Sequence, residues 1–417
     1  MKTKTFQPGD LIQLKTKSKT WKGHALQSHD SEIILLKLQS GYNIGIRESE
    51  ILDAKILEPH QRSVPPAKRP TSEASHQRSV PQKLPNVAFV ITGGTISARI
   101  DPKSGGTFPT NAKGLLEIAP ELKEICNPII ENPFMKLSED MDPKDWKTIA
   151  EICKKHLDDP KISGIIVTHG SDTLHYTGAA LSYFLQDLGK PVALTFSQRS
   201  IDRASTDANL NLICAAKYAT SDIAEVAIIG HETENDSSCI AIQGTKARKM
   251  HTSKRSTFKP INSEPIARIT RDSFEILKEF NARDDSRKTK LDTKYQNKVT
   301  SIKAHPGRDP AIIDFYLQQG YKGLVIETTG LGHTPAKSSE HNWLPKIKKA
   351  IEAGMTIIAT AQTINGNLNP NVYSAGRDLQ KTGIIFSNLT TETALVKLGW
   401  VLGHKQWNKS KKMKENL

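Results

Sequence analysis

Two hydroxyl-rich segments, each following an apolar run, contain the residue types in this sequence that could do chemistry. The first is TGGT at residues 92–95, and the second is THGSDT at residues 168–173. Glycine lets the chain turn sharply and lets another group approach closely, so the hydroxyl of Thr95 could stand at the end of a strand. A neutral alcohol becomes a useful nucleophile only when a base lies nearby. A simple turn with a capping threonine would also explain the first segment.

The second segment adds another hydroxyl, Ser171, and a carboxylate, Asp172. Leucines recur after them at helical spacing up to Leu188, which predicts a helix with Ser171 or Asp172 as its N-cap. Amides at a helix N-terminus favour negative charge and could stabilise an oxyanion or a substrate carboxylate. Capping alone is the alternative.

A basic loop, IQGTKARKMHTSKRSTFKP at residues 242–260, is the third candidate. Such a loop is most often a solvated surface or a phosphate contact. A lysine buried among hydroxyls can instead lose charge through desolvation and act as a base for Ser or Thr. Lys246, Lys249 and Lys254 all lie in this loop.

The elements around these motifs predict an α/β fold. Short apolar runs such as VAFVIT, GIIVTHG, EVAIIGHE, KGLVIETTG and MTIIATA are typical of strands buried on both faces of a parallel sheet. Helical patterns between them indicate a doubly wound architecture. Because ligands bind where the strands of such sheets end, the two hydroxyl clusters lie at expected site positions.

Changes in composition predict the domain boundaries. Short alternating segments over residues 1–57 predict a small all-β, SH3-like barrel, and the stretch 58–84, which repeats HQRSVP, predicts a flexible linker. We expect α/β domains over 85–280 and 299–404, joined by a polar connection at 281–298. The basic tail, 405–417, is expected to fray.

The charge and cysteine totals limit the possible functions without identifying one. Lys and Arg number 58 against 44 Asp and Glu, a net charge of +14 that would suit a polyanionic partner or an anionic substrate. Four cysteines without CxxC spacing predict free thiols in a reducing compartment. The N-terminus lacks the apolar region of a signal peptide, and we expect a cytoplasmic protein that does not enter membranes.

Metal and nucleotide motifs are not found. His169, His231, His305 and His333 show no spacing typical of metal ligands, so no metal site is predicted. The chain has neither GxGxxG nor GxxxxGK[ST], so nothing indicates that it binds ATP or a dinucleotide.

Taken together and in order, TGGTI, THGSDT and the lysine loop ending in TFKP resemble the bacterial-type asparaginase and glutaminase family. The resemblance covers residues 85 to about 403 and includes LSEDMDPKDW, HPGRDP, ETTGLGHTP and NVYSAGR. It implies a fold of two α/β domains and cleavage of a side-chain carboxamide by a threonine nucleophile. The leading barrel, with RKMHTSKRSTFKPIN and KAHPGRDPAIID, is similar more narrowly to the D subunits of archaeal glutamyl-tRNA(Gln) amidotransferases.

Matched motif by motif, the resemblance implies a role for each candidate residue. Thr95 would attack the glutamine carboxamide, Lys249 would orient or deprotonate a hydroxyl beside Ser171, and neighbouring amides would stabilise the oxyanion. Asp172 would help to hold the substrate ammonium. Ser138 and Glu139, in the motif SEDM, would contact the α-carboxylate and the α-ammonium.

The same resemblance implies the assembly in which the chain works. A tRNA-binding partner of the E-subunit type would use ATP and Mg²⁺ to activate Glu-tRNA(Gln) and receive ammonia from this chain, which itself needs no cofactor. Two copies of each subunit would form a heterotetramer. The basic residues of this chain form no recognition motif interleaved with aromatic residues, so most tRNA contacts are assigned to the partner.

Two positions depart from the family pattern and leave alternatives open. Ser171 replaces the usual threonine of HGTDT, and it keeps the hydroxyl while losing the methyl group. Phe108 stands where the loop after the nucleophile usually offers a tyrosine. A catalytically weak scaffold or RNA-binding module, suggested by Phe108 and the basic charge, is one alternative. A free-standing L-asparaginase with an appended barrel is the other.

Overall fold

The computed structural model describes residues 6–17, 19–26, 32–38, 43–59, 84–100, 107–109 and 119–415. The chain divides into two compact units. One comprises Met1–Lys83 with Ala98–Phe108, and the other comprises Leu84–Ser97 with Pro109–Leu417. Most of the predicted linker lies outside the described residues.

The strands are bounded as follows: β1 Leu11–Thr16, β2 Thr20–Leu26, β3 Ile33–Leu38, β4 Asn43–Arg47, β5 Ile51–Glu58, β6 Asn86–Ile91, β7 Ala98–Ile100, β8 Thr107–Pro109, β9 Asn127–Glu131, β10 Ile162–Thr168, β11 Leu185–Gln186, β12 Val192–Thr195, β13 Val226–His231, β14 Cys239–Gln243, β15 Ala247–Lys249, β16 Phe258–Pro260, β17 Ala267–Ile269, β18 Phe274–Ile276, β19 Lys290–Leu291, β20 Val299–Lys303, β21 Gly323–Thr328, β22 Thr356–Ala361 and β23 Ile385–Phe386. The helices are α1 Leu122–Ile125, α2 Pro143–Leu157, α3 Leu174–Phe184, α4 Ala208–Ala219, α5 Ala311–Gln318, α6 Leu344–Glu352, α7 Ser374–Gln380, α8 Thr391–Leu402 and α9 Lys409–Lys414.

The N-terminal strands form one antiparallel sheet in the order β4-β3-β2-β1-β5. Ile12 and Leu14 alternate with more exposed residues along β1 and are fully buried, as the period of two in a half-buried strand requires. They pack with a small set of apolar residues from the neighbouring strands, Ala25, Leu36 and Ile46. The expected all-β N-terminal fold is confirmed.

The second unit is built on an eight-stranded sheet in the order β18-β17-β14-β13-β12-β10-β6-β9. Its strands from β13 to β9 are parallel, and the apolar interiors of β6 and β10 are almost completely inaccessible to solvent. The predicted α/β fold with parallel sheets is therefore confirmed. The antiparallel extension by β14, β17 and β18 was not foreseen, because those short segments lack the long apolar runs of the parallel strands.

A four-stranded parallel sheet, β20-β21-β22-β23, forms the C-terminal α/β domain. Its core surrounds Trp343, which is fully buried. Helix α8 joins this sheet to the larger one, since Leu398 and Val401 belong to the same buried cluster as Leu181 of α3. This shared core fixes the C-terminal domain against the elements that carry the candidate site.

Two local expectations were wrong. Helix α3 ends at Phe184 and does not continue to Leu188, because the chain extends at Leu185 to pair with β19. The basic tail does not simply fray, since α9 buries Met413 and the ammonium of Lys397 donates to the Met413 carbonyl. Within the described ranges, the helices are too short or too polar to cross a membrane.

Candidate active site

The turn after β6 carries the expected nucleophile. Gly93 and Gly94 both adopt positive φ values, 113° and 77°, a region that side chains other than glycine rarely enter. They redirect the chain so that Thr95 begins a short 3-10 turn, Thr95–Ser97, just beyond the carboxyl end of the strand. A Cβ atom built on Gly94 would lie 2.3 Å from the amide nitrogen of Gly170. The two hydroxyl-bearing motifs therefore meet backbone to backbone.

A loop before α2 closes one side of the site. Lys136 bridges the glycine turn, because its carbonyl accepts from the Gly94 amide at 3.1 Å and its own amide donates to the Thr92 carbonyl at 2.9 Å. Its ammonium lies 2.7 Å from the carboxylate of Asp145, a residue of the α2 capping box. The segment that follows Lys136 is consequently anchored at both ends.

Ser138 and Glu139 follow in this anchored segment and differ in exposure. Ser138 is buried, and its hydroxyl oxygen accepts from the Asp172 amide at 3.2 Å. The Ser138 carbonyl accepts from the Thr173 hydroxyl at 2.7 Å. Glu139 is exposed to solvent. Ser138 therefore binds the second motif, while the Glu139 carboxylate remains accessible.

Lys249 closes the other side, at the end of β15. Its ammonium donates to the Ser171 hydroxyl at 2.8 Å and to the Asp172 carboxylate at 2.6 Å. The lysine side chain is only 11% exposed, whereas that of Asp172 is 63% exposed. Of the three lysines considered in the loop, Lys249 is therefore the one that contacts Ser171 and Asp172, while Lys254 lies on the surface.

These contacts explain why neither Ser171 nor Asp172 caps the following helix. Helix α3 begins at Leu174, and its N-cap, Thr173, makes no capping hydrogen bond through its side chain. The side chains of Ser171 and Asp172 face Lys249 instead. The capping interpretation was wrong, because an ammonium is a stronger partner for these groups than a peptide N–H.

His169 lies buried beneath the second motif and is neutral. Its Nδ1 lies 2.7 Å from the Gly170 carbonyl and its Nε2 lies 2.8 Å from the Thr177 hydroxyl. A carbonyl can only accept, so Nδ1 carries the proton and Nε2 accepts from Thr177. Burial lowers the pKa of His169 to about 4. The neutral imidazole thus holds the Gly170 carbonyl through a hydrogen bond without introducing a charge.

Two other histidines in this region, His175 and His231, are also buried. Burial, reinforced by the positive charge of Arg248, lowers the pKa of His175 to about 3. His231 contacts the Asn211 amide oxygen and the Asp236 carboxylate. The described residues contain no group of three or more His, Cys, Asp or Glu side chains that could hold a metal ion.

Two residues make contacts in this region that the sequence does not indicate. Lys136 gives no signal in the sequence, since a lone lysine before SEDM has no special spacing. Arg248 belongs to the basic loop, and nothing in the sequence indicates its pairing with Glu392 of α8 at 3.3 Å. The Phe108 side chain lies outside the described part of the structure, so the expectation attached to it stays a prediction.

Four of the six candidate residues thus form one hydrogen-bonded group: Ser138, Ser171, Asp172 and Lys249. Thr95 lies beside this group through the contact between Gly94 and Gly170. A hydroxyl next to a lysine–serine–aspartate group is an arrangement suited to nucleophilic attack on a carbonyl, with the charged partners holding a polar substrate. The individual catalytic and binding roles stay predictions.

Comparison with protein families identifies three matching segments. Residues 86–281 match "Asparaginase, N-terminal", and residues 298–415 match "Glutaminase/Asparaginase C-terminal domain". Residues 6–57 match "GatD N-terminal domain". The expected resemblance is confirmed for the α/β domains and for the leading all-β segment.

Solved structures of asparaginases share the fold. The thermostable L-asparaginase from Thermococcus kodakarensis superposes with a TM-score of 0.71 at 26% identity, covering 79% of this chain and 97% of that chain. L-asparaginase I from Vibrio cholerae gives a TM-score of 0.69 at 26% identity, covering 80% of this chain and 98% of that chain.

Curated relatives match over almost the whole chain. The D subunit of the glutamyl-tRNA(Gln) amidotransferase from Pyrococcus abyssi is 41% identical, with 97% of this chain and 92% of the relative covered. The corresponding protein of Methanothermobacter thermautotrophicus is 40% identical, with 97% and 91% covered. Together with the N-terminal match, these relatives show that the chain belongs to the D-subunit family of glutamyl-tRNA(Gln) amidotransferases.

Proposed function

We propose that this chain hydrolyses the side-chain carboxamide of glutamine and supplies the ammonia that converts Glu-tRNA(Gln) to Gln-tRNA(Gln). The observation that carries this proposal is the Lys249 ammonium held between Ser171 and Asp172, next to the turn that presents Thr95. The near full-length similarity to subunits named for this reaction supports the choice of substrate.

The geometry supports a reaction in two steps. The Thr95 hydroxyl oxygen attacks the carboxamide carbon and loses its proton to the Ser171 oxygen, while the Ser171 hydroxyl gives its own proton to the departing nitrogen. The Lys249 ammonium holds Ser171 in place for this transfer. The C–N bond then breaks, ammonia leaves, and a glutamyl ester forms on Thr95. Water hydrolyses this ester and returns a proton to the threonine. Because Ser171 accepts from Lys249, its own O–H is free to donate toward the reacting atoms.

The exposure of two carboxylates supports a role for them in holding the amino-acid part of the substrate. Asp172 is 63% exposed and Glu139 is also exposed, so both can accept from the substrate ammonium. The Ser138 region can receive the α-carboxylate. We assign these three residues to substrate binding.

The relatives are named as subunits, which supports a working complex for this chain as well. In this complex an E-type partner binds most of the tRNA and uses ATP and Mg²⁺, and two copies of each subunit form a heterotetramer. Four buried free cysteines are consistent with work in a reducing compartment such as the cytoplasm.

The Thr95→Ala variant of the complex tests the proposal. We expect Gln-tRNA(Gln) formation from glutamine to stop and formation from added ammonium chloride to continue, because the partner reaction does not need the nucleophile. Thr220→Ala, a helix-end threonine bonded to backbone carbonyls, serves as a control. Undiminished glutamine-dependent formation in Thr95→Ala would show that Thr95 is not the nucleophile.

A free-standing L-asparaginase is the second candidate, because the two solved structures that share the fold are L-asparaginases. The purified chain can be assayed alone with asparagine and with glutamine. Fast hydrolysis of asparagine without partner or tRNA would favour this candidate. Slow hydrolysis that rises when the partner is added favours the amidotransferase.

A further inference from the structure

Neighbouring residues of β15 face two different parts of the molecule. Side chains alternate along a strand, so Arg248 and Lys249 point in opposite directions. Lys249 reaches Ser171 and Asp172, whereas Arg248 reaches Glu392 on α8 of the C-terminal α/β domain at 3.3 Å. A displacement of Arg248 would therefore move Lys249 with it.

The ion pair between Arg248 and Glu392 is largely withdrawn from solvent. The side chains are 30% and 11% exposed, and the Oε2 atom of Glu392 is buried without a hydrogen-bond partner among the described residues. Arg248 is the ion-pair partner of this carboxylate. Removing one member of such a pair leaves an uncompensated charge, unlike the loss of an exposed surface pair.

Two further contacts from the C-terminal domain hold the same hairpin, residues 245–262, which we name the lysine hairpin. At its start, the Thr393 hydroxyl donates to the Thr245 carbonyl at 3.1 Å. At its end, the Asn262 side chain and the Gly366 backbone exchange two hydrogen bonds, at 3.1 and 2.9 Å. The C-terminal domain thus contacts the lysine hairpin at its beginning, at Arg248 and at its end.

We propose that Arg248 and Glu392 are a positioning pair through which the C-terminal domain sets the place of Lys249 and thereby the rate of amide cleavage. The pair contacts neither Ser171 nor Asp172 in the described residues, so it acts through the lysine. A displacement of about 1 Å at a reacting group can lower a rate by about 10²-fold. This inference rests on the proposed function, because it requires Lys249 to take part in glutamine hydrolysis.

A double-mutant cycle on the full chain, co-purified with its partner, tests the inference. We expect Glu392→Gln and Arg248→Gln each to lower the kcat for glutamine hydrolysis about tenfold, with KM changed less than about twofold. The double variant should lose no more than either single variant, because both substitutions break the same interaction. Glu352→Gln, which removes an exposed partner of Lys348 on α6, is the matched control and should keep the parent rate.

The competing explanations predict different readouts. General damage to the fold would lower the ammonia-dependent reaction and the melting temperature together with kcat, whereas a positioning role leaves ammonia-dependent formation unchanged. Unchanged kcat in both single variants, losses that multiply in the double variant, or an effect on KM alone would each overturn the inference. If Glu392→Gln fails to fold, Arg248→Gln carries the same expectation.

The parent complex and the Lys249→Met variant separate the two proposals. If the parent complex hydrolyses no glutamine, the proposed function is wrong. If Lys249→Met keeps the parent rate, the proposed function stands, and the assigned role of Lys249 and the positioning inference that rests on it are wrong. If Lys249→Met is inactive while Glu392→Gln and Arg248→Gln keep the parent rate, only the positioning inference fails.

Discussion

Gly94 and Gly170 touch through their backbones, since a Cβ atom on Gly94 would lie 2.3 Å from both the Cα atom and the amide nitrogen of Gly170. A Cβ atom on Gly170 would in turn lie 2.7 Å from the Ser138 hydroxyl. Three separate segments therefore converge where only glycine leaves room. Their close approach sets the distance between the threonine turn and the lysine–serine–aspartate group.

Gly94→Ala should abolish glutamine hydrolysis and destabilise the fold. Gly307 is a matched control, because its φ of 76° almost equals the 77° of Gly94 and nothing lies within 4 Å of its Cβ position. Gly307→Ala should lose about 1–2 kcal/mol of unfolding free energy from its backbone conformation alone. Gly94→Ala should lose about 1–3 kcal/mol more, because the overlapping backbones must separate. Urea denaturation measures both, and equal losses would contradict the importance of the contact.

Lys249→Met should lower the kcat for glutamine hydrolysis by about 10²–10⁴-fold, the usual contribution of assisted proton transfer, because the ammonium that holds Ser171 for this transfer is lost. Methionine keeps most of the length of the side chain but cannot donate to Ser171 or Asp172. Lys254→Met, in the same hairpin but on the surface, should behave like the parent chain. Steady-state kinetics on the complex measure both variants. A larger effect at Lys254 would place the active lysine there.

Ser171→Ala should also lower kcat strongly, because it removes the hydroxyl that accepts from Lys249 while leaving the contact between Lys249 and Asp172 possible. Ser171→Thr retains the hydroxyl and should keep most of the activity. Comparing the two variants in the glutamine assay separates the hydroxyl from the side-chain volume. Full activity in Ser171→Ala would remove this residue from the mechanism.

Protonation of His169 should contribute to unfolding in acid. Burial lowers its pKa from 6.5 to about 4, so the folded chain binds this proton less tightly than the unfolded chain. The group has no effect above pH 6.5, and stability then falls as the pH drops toward about 4, by at most about 1.4 kcal/mol per pH unit. His169→Asn can still donate to the Gly170 carbonyl but does not titrate. Denaturation curves across this interval should be less pH-dependent for the variant, and identical pH dependence would refute the assignment.

The sequence was sufficient for the parts of the fold that depend on continuous apolar runs. Strands such as β6 and β10 are buried on both faces, so their composition alone identifies them. The pairing of β14 with β17 could not be predicted in this way, because it depends on contacts between short segments distant in the chain. The early end of α3 could not be predicted either, because it depends on the pairing of Leu185 with the distant residue Leu291.

The candidate site was predicted at the level of residue types, and its geometry required the structure. Ser171 and Asp172 looked equally suited to capping a helix, and only the approach of Lys249 distinguishes the two interpretations. The contribution of Arg248 was not visible, because its partner Glu392 lies far away in sequence. Pairs of this kind carry no local spacing signal.

The double backbone bridge of Lys136 also governs how the site can open. Because the Gly94 amide is bonded to Lys136 and the Lys136 amide to Thr92, the loop cannot lift away while the end of β6 stays paired. These two amide hydrogens should exchange with solvent at rates close to those of the central strands. The loop that carries Lys136 should therefore stay in place during turnover, and opening of the site should involve other segments.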